Sequence, residues 1–164
     1  MFGWLRRFER GFCHPLDAPI DLGSAKAVVM GMGRIGSGAY DELRKIYGNE
    51  ICGVEHAPER VDFNRGHGRN VILGDACDTE FWLKLSKDLS LELVILAMPN
   101  HQGNVYAAHQ LRNFRFDCQI AAIARYPQEV EELSALGVCT AYNMYEQAGA
   151  GLVRTALEGC RMAD

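Results

Sequence analysis

The chain has no CxxC pair, no HxxxH or HExxH grouping, no internal repeat and no low-complexity tract. It also has no run of about 18 apolar residues, which excludes a helix that spans a membrane. Six cysteines (Cys13, Cys52, Cys77, Cys118, Cys139, Cys160) are scattered singly, so neither a zinc site nor a disulfide framework is read from them. Cys52, Cys118 and Cys139 sit in apolar runs, where a free thiol behaves as a small hydrophobe. A reduced, cytosolic protein is expected. Basic excess is missing too. The formal net charge is −4, which offers no electrostatic footprint for nucleic acid. The opening MFGWLRRFERGF is basic but lacks the apolar core and small-residue cleavage site of a secretory signal. A length of 164 residues suits one domain with a real core.

What the chain does contain is organised around Lys26 to Glu55. The apolar run Ala27-Val28-Val29-Met30 enters the glycine turn Gly31-Met32-Gly33-Arg34-Ile35-Gly36. A helix-period segment and a second apolar run follow, ending in Glu55. Gly31 permits the tight turn, Gly33 lets backbone approach a phosphate, and Gly36 lets helix and strand pack closely. The helix N-terminus adds free N–H groups and partial positive charge. Glu55 lies 24 residues after Gly31, where such a motif puts a carboxylate for ribose hydroxyls.

Residues 1–23 read as an N-terminal amphipathic helix and linker. Phe2, Leu5, Phe8 and Phe12 fall near helical spacing, with arginines between them, and His14 to Pro19 break the pattern. That helix either packs on the domain or a dimer partner, or meets a membrane surface or partner protein. Residues 24–164 form the main domain. Pro58-Glu59-Arg60 starts a short helix with Val61 and Phe63 inward; Asn70 to Leu73 is a third strand; Thr79 caps a helix carrying Phe81, Trp82 and Leu85. Leu91 to Ala97 is a strand covered on both faces. A helix runs from about His101 to Leu111, Gln119 to Ala124 is a fifth strand, and Pro127 opens a helix stopped by Gly137. Val138 to Ala141 is a sixth strand and the tail is helical. This alternation predicts an α/β Rossmann-type, doubly wound sheet of six parallel strands in the order 3-2-1-4-5-6, with a C-terminal helix.

In such sheets ligands bind beyond the carboxyl ends of the strands. Glu55 is either a bidentate acceptor for ribose or a solvent-facing acid; as an acceptor it disfavours a 2′-phosphate. Asp75 either accepts from an adenine amino group beside Ala76 or only caps its loop. Arg34 meets a phosphate or points to solvent, and Arg60 is read as supporting its helix surface. Arg125 pairs with a phosphate or carboxylate, or makes a surface ion pair. His101 and His109 lack a partner for acid–base work. The candidate cofactor-binding set is Gly31, Met32, Gly33, Arg34, Ile35, Gly36, Glu55, His56, Asp75, Ala76, Met98 and Arg125, with no catalytic residue and no metal ligand.

These segments resemble a known family. VVMGMGRIGSGAYDELRK, VEHAPERV, NVILGDACD, LVILAMPN and IAAIARYPQEVEELSALGV are similar to the TrkA N-terminal domain, also called the regulator-of-potassium-conductance domain. The tail AYNMYEQAG is similar to the version attached to glutathione-regulated potassium efflux (Kef) antiporters. The resemblance implies AMP or NAD(H) in the cleft, a homodimer formed through the last helix, and gating of a potassium antiporter or channel subunit at the inner face of the cell membrane. It also implies phosphate at Gly31, Gly33, Arg34 and Gly36, ribose at Glu55, and adenine at Asp75 and Ala76. The chain departs from the family's usual residues at Cys77 and His56. With no transporter segment, either a fragment or a separate subunit is expected.

Three functions are open on the residues alone: a ligand-sensing regulatory domain, an NAD-dependent oxidoreductase and a methyltransferase. An oxidoreductase needs a substrate pocket and proton donor from further chain, and a methyltransferase needs a seventh strand. The regulatory reading is the one expected.

Overall fold

A computed structural model describes residues 19–85 and 89–161. The expected N-terminal helix lies outside them. The elements alternate strictly: β1 (Ala27–Met30), α1 (Arg34–Tyr47), β2 (Ile51–Glu55), α2 (Pro58–Gly66), β3 (Val71–Leu73), α3 (Thr79–Lys84), β4 (Leu93–Leu96), α4 (His101–Asn113), β5 (Gln119–Ala124), α5 (Pro127–Ala135), β6 (Thr140–Asn143) and α6 (Met144–Arg161). All ladders are parallel, and the six-stranded sheet runs β3-β2-β1-β4-β5-β6, as expected.

β1 is central. Ala27 pairs with Ile51 on one side and Leu93 on the other, so every residue of β1 is buried. Its side chains alternate between two cores. Val28 and Met30 join Trp82, Leu111, Ile120 and Leu133, while Ala27 and Val29 join Tyr40, Ile51 and Val61. An apolar run without polar alternation is therefore what this strand requires. The strand order reverses between β1 and β4, and that switch point opens the ligand-binding crevice of such a sheet.

Four local readings are corrected. The sixth strand begins at Thr140, two residues later than the apolar pattern suggests, because Val138 is buried as a loop residue before the ladder starts. Asp78, not Thr79, is the N-cap of α3, its carboxylate accepting the Glu80 N–H at 3.0 Å. Phe63 is 60% exposed: α2 buries Val61 and Asn64 on one stripe, and Phe63 falls off that stripe and leans at a tilt against His67. Cys139 is exposed beside the edge strand β6, whereas Cys52 and Cys118 are buried. At the other end of the domain, Leu22 is buried and Ile20 bridges to Leu85, so chain before β1 already packs on the core.

Candidate functional site

The glycine turn joins β1 to α1 at the carboxyl edge of the sheet. Gly31 adopts φ 93°, and a Cβ there would lie 2.9 Å from the backbone of Ala97 and Met98. A Cβ on Gly36 would come within 1.8 Å of the Gly31 carbonyl oxygen. Both positions therefore exclude any side chain. Gly33 faces open space, leaving room for a ligand to approach the backbone. It is also the N-cap of α1 and supplies no side-chain cap, and the first turn carries no acid. The helix N-terminus keeps its positive end for an anion.

Glu55, at the end of β2, is only 2% exposed. One carboxylate oxygen accepts the Met32 N–H at 3.0 Å; the other accepts the N–H groups of His56 and Ala57, each at 3.0 Å. The His56 Nδ1 is 3.0 Å away and an Arg60 nitrogen 3.8 Å. Glu55 is thus a hub tying the glycine turn to the loop after β2. A carboxylate has about four acceptor sites, and the three N–H groups with the His56 ring occupy them. A ligand hydroxyl gains one only where that ring turns away. Glu55 is not the solvent-facing acid of the other sequence reading. Asp75 accepts the Cys77 N–H at 2.8 Å in an Asx turn, the loop-capping geometry, while also lining the crevice.

Two depressions abut across the turn. The first is a slot of about 20 Å³ walled by Gly31, Val54, Glu55, His56, Gly74, Asp75, Ala76 and Met98. That is roughly the space of one water molecule. The second is a cleft of about 340 Å³ lined by Gly33, Arg34, Ile35, Arg60, Ala97, Pro99, Ile123, Arg125 and Met144. Three arginines line it, a residue set suited to phosphate or carboxylate. Arg125 also donates across the cleft to the Pro99 carbonyl, and its own N–H is held by Glu129 at 2.6 Å.

Every residue of the expected set lies at this edge. Met32 contributes backbone only, since its buried side chain packs against Gly53. Arg60, Ile123 and Met144 were not in the set. Arg60 carried a signal: it is a cation near the start of a helix, against the macrodipole, just after the strand-two acid. His101 lines neither depression. Its Nε2 is 2.7 Å from Glu132, its Nδ1 lacks a hydrogen-bond partner, and His109 is exposed on α4. Burial, with the Asp75 charge behind it, pushes the Cys77 thiol up; burial pushes Cys52 up to about 11. Neither thiol is activated.

No described helix is long and apolar enough to cross a membrane. No curated protein matches the chain. Solved structures do. The NAD(P)-binding domain of an exopolyphosphatase-related protein from Archaeoglobus fulgidus is 17% identical with a TM-score of 0.71, over 82% of this chain and 98% of that one. The TrkA-N domain of the inner membrane protein ybaL from Escherichia coli is 24% identical with a TM-score of 0.64, over 85% and 98%. The Kef C-terminal domain from Shewanella denitrificans, in AMP-bound form, is 18% identical with a TM-score of 0.66, over 80% and 78%. At these identities the likeness is one of fold. The family model of the TrkA-N domain matches residues 27–144, most of the chain and all of the crevice-forming loops, and the chain belongs to that family.

Proposed function

We propose that the chain is a regulatory nucleotide-binding domain that senses AMP or NAD(H) and gates a potassium-transport partner. The observation that carries this reading is the pairing of the two depressions. A slot bearing Glu55, Asp75 and Ala76 suits adenosine, and the cleft of Arg34, Arg60 and Arg125 beside it suits the phosphate, with the glycine turn between them. The AMP in the Kef relative and the NAD(P) named for the Archaeoglobus domain support an adenine nucleotide.

The slot holds about one water, so a base enters only if side chains such as His56 or Met98 move aside. A ligand that selects one of two arrangements is what a sensor requires. The exposed apolar residues Leu152, Val153 and Leu157 of α6 support a homodimer through that helix. The likeness to the Kef C-terminal domain supports a membrane partner, an antiporter or channel subunit, at the cytoplasmic face. An oxidoreductase would need a proton donor facing the cleft; His101 is turned to Glu132 instead.

The test is thermal unfolding of the purified chain with AMP and with NADH, alongside mass spectrometry of any nucleotide that co-purifies. Binding to the native state raises Tm. A Tm unmoved by millimolar AMP and NADH refutes the reading, and turnover of NADH with a small carbonyl substrate would replace it with the oxidoreductase.

A further inference from the structure

Among the described residues, the buried polar side chains are Glu55, Asn64 and Asn104. Burying such groups costs stability unless each finds partners, so what they hold is informative. Glu55 holds the glycine turn. The two asparagines, each 1% exposed, act on the two walls of the same crevice. Asn104, on α4, grips the backbone of one residue twice: its side-chain oxygen accepts the Met98 N–H at 3.1 Å and its amide donates to the Met98 carbonyl at 3.0 Å. Asn64, on α2, donates to the Met32 carbonyl at 3.2 Å in the glycine turn, and its oxygen accepts from Ser37 at 3.3 Å and Arg69 at 3.1 Å. The gripped loops face each other, since a Cβ on Gly31 would lie 2.9 Å from the Met98 backbone.

We propose that Asn104 and Asn64 are positioning residues of the nucleotide site, with separate tasks. Asn104 holds the wall of the base slot, and Asn64 holds the turn that takes the phosphate. The division follows from the walls themselves. Met98, the residue Asn104 grips, lines the slot and not the cleft, although Ala97 and Pro99 beside it reach the cleft. The turn that Asn64 steadies borders the slot at Gly31 and runs on through Gly33 and Arg34 into the arginine cleft. With Met98 pinned at both backbone groups, opening the slot falls to its side chain. That thioether lies 4.0 Å from the Cys77 sulfur, and a Cβ on Gly103 would meet it at 3.6 Å, an ordinary contact, while crowding the Cys77 sulfur at 3.0 Å. The inference rests on the proposed function, because it assumes that a nucleotide occupies this crevice.

The experiment measures, by titration calorimetry, the binding of AMP and of inorganic pyrophosphate to the wild-type chain and to two variants. AMP needs slot and turn; pyrophosphate needs only the turn and the arginines. Asn104→Leu is expected to weaken AMP about tenfold, the worth of a buried hydrogen bond or two, and to leave pyrophosphate unchanged. Asn64→Leu is expected to weaken both about tenfold. Should a leucine variant fail to fold, Asn104→Ser and Asn64→Ser replace it. Each is uncharged and leaves room for a water to serve the freed backbone groups, and the same pattern at smaller amplitude is expected. AMP binding unchanged in the Asn104 variants overturns the proposal. So does an equal loss of both ligands in an Asn104 variant that tracks a fall in Tm, since that marks a structural residue only. A wild-type chain that binds neither ligand refutes the function itself and this inference with it.

Discussion

Glu55→Gln separates two roles for the strand-two acid. If Glu55 served only a ribose, the ligand-free protein would not miss its charge. The structure gives it work without any ligand: three backbone N–H groups, from Met32, His56 and Ala57, end on its two oxygens at 3.0 Å. Glutamine keeps one oxygen. That oxygen can still serve His56 and Ala57, but the amide nitrogen then faces the Met32 N–H, donor against donor. A hydrogen bond to a charged acceptor contributes about 1.5–3 kcal/mol, and leaving a buried donor unsatisfied adds about 1–3 kcal/mol. These overlap, and about 3 kcal/mol in total is expected. For a domain of this size each kcal/mol lowers Tm by about 2–4 °C, so the ligand-free variant should melt about 6–12 °C below wild type. Differential scanning calorimetry without nucleotide is the assay. A Glu55→Gln protein melting within a degree or two of wild type would refute the hub.

The remaining expectations are simpler. Gly36→Ala forces a methyl group to within 1.8 Å of the Gly31 carbonyl oxygen and should cost about 3 kcal/mol or more, read from urea midpoints and accompanied by loss of nucleotide binding. Arg60→Ala should weaken AMP several-fold, and the deficit should shrink at high salt, because its guanidinium is half-exposed at the cleft. Asp41 is held below its usual 3.8 by hydrogen bonds from Arg69, with partial burial opposing. A lowered folded-state value means the pair stabilises the protein above the unfolded value and stops doing so as pH falls through the folded one. Asp41→Asn should therefore be less stable than wild type at neutral pH, and urea midpoints should converge below 3.8.

Part of this protein could be read from the sequence because the constraint was local. An apolar run, a turn whose first glycine takes φ 93°, and a helix beside it specify β1, the phosphate turn and α1 from adjacent residues. The fifth strand falls where its apolar run predicts, Gln119–Ala124, because that run coincides with its ladder to β4. Val138 broke the rule at the sixth strand: its apolar side chain reports burial, not ladder position. Arg60 reads from sequence as part of its helix surface because the cleft it lines is shared with Arg34 and Arg125, which lie in other elements.

The sequence by itself determined the strand–helix alternation, the strand order, the glycine turn and the set of loops that meet at the sheet's carboxyl edge. Hydrophobic period and glycine stereochemistry act between near neighbours and are written residue by residue. Tertiary structure alone decided that Glu55 points inward as a hub, that three arginines line one cleft, and that Asn64 and Asn104 are buried behind the crevice walls. Those outcomes depend on which side chains from separate elements meet in space. A charge or an amide carries no mark of its eventual partner until the sheet brings the two together.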